Sequence, residues 1–86
     1  MDIAATIFSL LNQRAPTASI CPSDVARALA NDEPAWRALM PSVRETAASL
    51  ARANRIVITQ GDRQLDPACL ASGPIRLRRG PSYSES

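Results

Sequence analysis

Ala53-Asn54-Arg55-Ile56-Val57-Ile58-Thr59-Gln60-Gly61-Asp62-Arg63 is where helical repetition gives way to strand alternation, and its reading decides the fold. Before it, Trp36, Met40, Val43, Ala47 and Leu50 recur every three or four residues, with Leu39 alongside. Residues so spaced share one face of a helix. Asn54 suits the left-handed residue that ends such a helix. Beyond it, Ile56 and Ile58 point one way and Val57 and Thr59 the other, which is the period of a strand. Gln60-Gly61-Asp62-Arg63 then turns the chain. Pro41 lies inside the helical stretch, where it removes a hydrogen bond and crowds the preceding turn. The expected helix runs from about Ala35 to Asn54, started after Pro34 and either kinked or broken near Met40.

Towards the amino terminus, Cys21-Pro22-Ser23-Asp24 opens a shorter helix. Proline suits the first helical position, and Asp24 falls in the first turn, where a negative charge favours the helix dipole. Val25, Ala28 and Leu29 are its expected inward face, and it ends near Asn31-Asp32. Ahead of it, Ile3, Ile7, Leu10 and Leu11, with Phe8 beside them, mark a first helix from Asp2 to Arg14. Asp2 is its candidate N-cap, and Ala15-Pro16-Thr17 stops it. Thr17 to Ile20 is expected as a short strand sealing the sheet.

Towards the carboxy terminus, Gln64-Leu65-Asp66-Pro67 reads as a short return. Cys69 to Pro74 is a loop or a single helical turn. Ile75-Arg76-Leu77-Arg78 alternates, with Ile75 and Leu77 inward and both arginines outward. Residues 80–86 carry no packing signal and are expected to form a flexible tail. The order is helix, helix, helix, hairpin. That is a mainly α, α+β domain of the winged helix-turn-helix type over residues 1–79, with a two- to three-stranded antiparallel wing.

Eighty-six residues support one small domain. The chain is 45% hydrophobic but only 3% aromatic, so its core rests on a few Ile, Leu and Val residues plus Phe8 and Trp36. A lone tryptophan on an apolar helical stripe is expected in that core. Net charge is +2, unevenly spread: residues 44–79 hold seven arginines against Glu45, Asp62 and Asp66. There is no lysine and no histidine. Without histidine or a CxxC pair, no zinc site is expected, and Cys21 and Cys69 are read as reduced small hydrophobes. Asp2 stands where an export signal needs basic residues, and no apolar run approaches a membrane span. A soluble, cytoplasmic protein is expected, with no membrane, metal or cofactor partner.

The motifs Ile20-Cys21-Pro22-Ser23-Asp24-Val25-Ala26-Arg27-Ala28-Leu29, Trp36-Arg37-Ala38-Leu39-Met40, Val43-Arg44, Ile58-Thr59-Gln60, Leu65-Asp66-Pro67 and Gly73-Pro74-Ile75-Arg76-Leu77-Arg78 resemble a bacterial domain-of-unknown-function family. The resemblance spans residues 3 to 79. It implies a small winged-helix domain and assigns no activity, ligand or catalytic residue.

On such a scaffold the third helix is the element that enters the major groove of double-stranded DNA. Ser42, Arg44, Glu45, Ser49 and Arg52 are the candidates to reach it. Arginine forks onto guanine or phosphate and serine reaches either. Arg63 stands at the expected wing tip beside Asp62. Arg76 and Arg78, with Arg79, form the densest basic cluster, open to phosphate contact or to guarding an exposed strand. Glu45 opposes phosphate binding on the same face. The alternative is an interaction module that docks a protein, or a second copy of the chain. No catalytic role is expected, because a general base, a phosphate loop and a paired-carboxylate motif are all missing.

Overall fold

The computed structural model describes residues 2–70 and 73–83. Helix α1 spans Ile3–Asn12, and Asp2 caps it by accepting the Ala5 N–H at 3.0 Å. Strand β1, Ser19–Ile20, leads into α2, Pro22–Leu29. The long helix α3 spans Glu33–Arg52. Strands β2, Ile56–Gln60, β3, Arg63–Gln64, and β4, Arg76–Arg79, complete the chain. Among the described residues three helices thus pack with an antiparallel sheet, and the α+β reading holds in an arrangement consistent with a winged helix. Among the described residues, no helix is long and apolar enough to cross a membrane.

Helix α3 begins at Glu33, two residues ahead of the expected start, because Asp32 takes the cap position and accepts the Ala35 N–H at 2.9 Å. Asp32→Ala is expected to cost about 1 kcal/mol, read as a lower urea midpoint, while Asn31→Ala leaves the midpoint in place. The helix runs unbroken through Pro41. Pro41 is exposed, so the carbonyl left without its helical donor lies on the solvent side. Asn54 closes the helix with φ +61°.

The sheet order is β1-β4-β2-β3, with β4 inside rather than at an edge. Leu77 pairs with Ile20 of β1 and with Ile58 of β2. Among the described residues the sheet has four strands, the three of the wing and the short strand expected ahead of α2. Both β1 and the return Arg63–Gln64 join it, and the Leu65 N–H extends the ladder to the Ile58 carbonyl at 2.8 Å. Gly61, at φ +59°, occupies the first central position of the two-residue turn between β2 and β3, where a II′ hairpin needs positive φ.

The core gathers Ile7, Phe8 and Leu11 from α1, Val25 and Ala26 from α2, and Val43 and Ala47 from α3 against Ile20, Ile56, Ile58, Ile75 and Leu77. Ala28, expected inward, is exposed, and Ala26 takes its place. Burial of Pro22 centres the α2 face on residues 22, 25, 26 and 29, which leaves Ala28 about 110° away.

Residues 80–83 correct the expected tail. The Gly80 N–H donates to the Arg55 carbonyl at 3.0 Å, and the Ser82 N–H donates to the Asn54 carbonyl at 2.8 Å. Tyr83 meets Phe8 edge to face, with ring centroids 5.8 Å apart, and its hydroxyl bonds Asn12 Oδ1. A single aromatic in a Gly-Pro-Ser setting has no period to announce such docking. Residues 84–86 of the expected tail, and 71 and 72 of the expected Cys69–Pro74 loop, lie outside the described residues.

Candidate interaction surface

The sequence-derived site residues separate into three groups. Ser42, Glu45, Ser49 and Arg52 are all exposed and lie on one outer stripe of α3. Arg63 is exposed at the β2–β3 turn beside the exposed Asp62. Glu45 and Arg52 oppose each other in sign, as do Asp62 and Arg63.

Arg76 and Arg78 form the second group, half-buried on the outer face of the sheet and tied to their own chain. Arg76 donates to Ser19 Oγ at 2.9 Å, to the Ser19 carbonyl at 3.1 Å and to Cys21 Sγ. Arg78 donates to the Thr17 carbonyl at 2.9 Å and to Thr59 Oγ1 at 3.4 Å. Their neighbour Arg79 donates to the Leu11 and Arg14 carbonyls at 3.0 and 3.2 Å, at the carboxy-terminal end of α1. Helix ends leave such carbonyls without intrahelical donors, so this arginine serves the fold.

Arg44 stands alone in the third place. It is half-buried and donates to the Gly73 carbonyl at 3.4 Å, while Gln60 Nε2 donates to the Pro74 carbonyl at 3.2 Å. These two bonds tie residue 73 to α3 and residue 74 to the end of β2. Between them and the start of α2 opens a cleft of about 260 Å³. Cys21 and Pro22, Met40 and Arg44, and Pro74 and Ile75 line it. Sequence reading missed it, because three separate segments build it. Gly73-Pro74 is a local hint, as a bend ahead of β4 with Gly73 at φ +102°.

Trp36 is half-buried rather than in the core. The guanidinium carbons of Arg27 and Arg37 lie 4.7 and 4.9 Å from its ring centroid. Arg37 also meets Glu33 at 3.4 Å, an exposed pair of little energetic weight. Burial along α3 explains the outcome. Its buried residues are Val43, Ala47 and Ala48, all in the second half. In the first half Trp36, Leu39 and Met40 continue the apolar stripe but stay half-buried. Arg27 of α2, which sequence periodicity cannot link to Trp36, covers part of the ring.

Cys21 is half-buried and Cys69 exposed, and both are free thiols, so Cys69 departs from the buried role expected of it. Among the described residues, no three His, Cys, Asp or Glu side chains converge as metal ligands. No curated protein matches the chain. The family model described as Protein of unknown function (DUF3253) matches residues 1–80, and the chain belongs to that family.

Proposed function

We propose that this domain is a protein-docking module built on a winged-helix scaffold, with the first half of α3 as its contact element. The observation that carries this reading is the half-exposed stripe of Trp36, Leu39 and Met40, with two guanidinium groups over the Trp36 ring. Tryptophan, arginine and methionine are enriched where protein interfaces bury surface. Fully burying one large apolar side chain is worth about 1.5–3 kcal/mol, so each of these, already mostly buried, leaves about 0.2–1 kcal/mol for a partner to recover.

Duplex DNA is the second reading, favoured by Ser42, Ser49 and Arg52 on one exposed stripe and Arg63 at the hairpin turn. Affinity for a polyanion grows with the number of phosphates neutralised. Here Glu45 offsets Arg52, Asp62 offsets Arg63, and Arg76 and Arg78 donate to their own chain. That balance places DNA second.

Two measurements separate the readings. A photo-crosslinker at Glu33, exposed one turn before Trp36 on its side of α3, is expected to yield a discrete protein adduct in cells of the native host. The adduct disappears with Trp36→Ala and does not form from a crosslinker at Ser49. Anisotropy with a random-sequence duplex at low salt is expected to show no salt-sensitive binding. Steeply salt-dependent duplex binding that Arg52→Ala and Arg63→Ala weaken, with no adduct at Glu33, would put DNA in place of the protein partner.

A further inference from the structure

We infer that the partner docked on the first half of α3 is a second copy of this chain, related by a two-fold axis that sets the two α3 helices antiparallel. This names the partner of the docking reading above and rests on that reading. At about 100° per residue, Glu33, Trp36, Arg37 and Met40 fall within about 100° of one another, on one face of the helix. The core stops short of that face, because the buried residues of α3 all lie at Val43 or beyond. Trp36 and Met40 are left half-buried, in a domain small enough to gain from extending its core by association. The charges around them point to the occupant. Asp32 and Glu33 are exposed at the start of α3, its cap included, and Arg27 and Arg37 are exposed beside the Trp36 ring. Two acids and two bases leave no net charge, so a uniformly acidic or uniformly basic partner meets like charge in either case. The matching surface carries both signs in reversed order, and this same face turned through a two-fold axis supplies it. In such an interface residue i meets residue j, and j meets i. An axis crossing α3 at the level of Ala35 sets Glu33 opposite Arg37 of the second copy, and Arg37 opposite its Glu33. These two side chains already lie 3.4 Å apart within one chain, so the second copy closes them into a ring of four alternating charges. The same axis leaves the two Trp36 residues about 3 Å apart along the helix direction, at the centre of the contact. An aromatic centre with charges at the rim is how protein interfaces are built.

The test is sedimentation equilibrium of the purified whole chain. Its average mass is expected to rise from one chain towards two between about 1 μM and about 1 mM. Glu33→Arg and Arg37→Glu are each expected to weaken self-association at least about tenfold, because each sets two pairs of like charges across the interface. Mixed in equal amounts, the two variants are expected to associate as the wild type does. The pair within each variant chain stays broken in the mixture, so only pairing between chains accounts for such a rescue. Trp36→Ala is expected to weaken association by a similar factor. Should that variant fail to fold, the two charge reversals, both at exposed positions, still decide. A single-chain mass at every concentration, association indifferent to the reversals, or variants that do not rescue each other each overturns the second copy as partner. The crosslink at Glu33 judges the docking reading separately. An adduct of any mass other than two chains, from a chain that is monomeric when pure, overturns the second copy and keeps the docking reading. No adduct and no self-association together overturn both.

Discussion

Leu77→Ala is expected to lower the stability of the domain by about 2–5 kcal/mol, the range for emptying a fully buried leucine site. Leu77 is wholly buried on β4, the strand between β1 and β2, and faces Ile20 on one side and Ile58 on the other. Neither neighbour can swing in to fill the space, because each is held in a ladder and wholly or almost wholly buried. A small domain has a total stability of about 5–15 kcal/mol and an 86-residue chain sits low in that range, so the loss takes a large fraction of it. The measurement is urea unfolding followed by far-ultraviolet circular dichroism. Ala28→Ser, on the exposed side of α2, serves as the control and is expected to change the midpoint little. A loss for Leu77→Ala below about 1 kcal/mol would mean that β4 is not the central strand.

The alternation of Ile75-Arg76-Leu77-Arg78 made the inward face of β4 legible, because a strand sends alternate side chains to opposite sides whatever lies across from them. It could not say what the outward side meets. Ser19, which accepts from Arg76, is 57 positions away, and Thr17, which accepts from Arg78, is 61 away. Such partners follow from sheet order, and sheet order follows from the whole core. The same limit hid the cleft, which exists only when the starts of α2 and β4 meet the middle of α3. Trp36 failed for a related reason. Periodicity placed it on the stripe of Val43 and Ala47, but it carries no information about how far along a helix the neighbouring elements reach.

The basic second half of the chain reads differently once these partners are known. Arg44 braces residue 73, Arg55 lies over the Phe8 ring at 4.6 Å, and Arg76, Arg78 and Arg79 bond carbonyls and hydroxyls of the first twenty residues. Arginine offers five donors in a planar fork, enough to serve two or three neutral acceptors at once. In a core this short of aromatics, such forks tie the sheet to α1 and β1. Charge counted along a sequence therefore overstates the charge a domain presents to a partner. Arg52 and Arg63 remain as the exposed basic candidates of that half, each with an acid in the same element or turn.

The second large effect belongs to Gly80→Ala. A β-carbon at this position would stand 2.5 Å from the Asn54 carbonyl oxygen and 2.9 Å from both Ile56 N and Ile56 C. These are backbone atoms at the start of β2, so no side-chain rotation relieves the contact. Overpacking of this kind costs about 1–3 kcal/mol. The chain can escape by releasing residues 80–83, which forfeits the Gly80 and Ser82 hydrogen bonds and the seat of Tyr83 against Phe8. That escape makes a sharper prediction than the loss alone. Tyr83→Ala is expected to destabilise the wild type by about 1 kcal/mol or more, through the lost aromatic pair and buried area. In the Gly80→Ala background it is expected to cost almost nothing further, because the ring has already left its seat. The double-mutant cycle, measured by urea unfolding, should give a coupling of about 1 kcal/mol. If Tyr83→Ala costs the same in both backgrounds, the segment stays docked with alanine at position 80, and the close approach of Gly80 to β2 is wrong. If Gly80→Ala, Tyr83→Ala and removal of residues 80–86 are all silent, these residues hang free, as expected from the sequence, and α1 is held by Arg55 and Arg79 without the tyrosine.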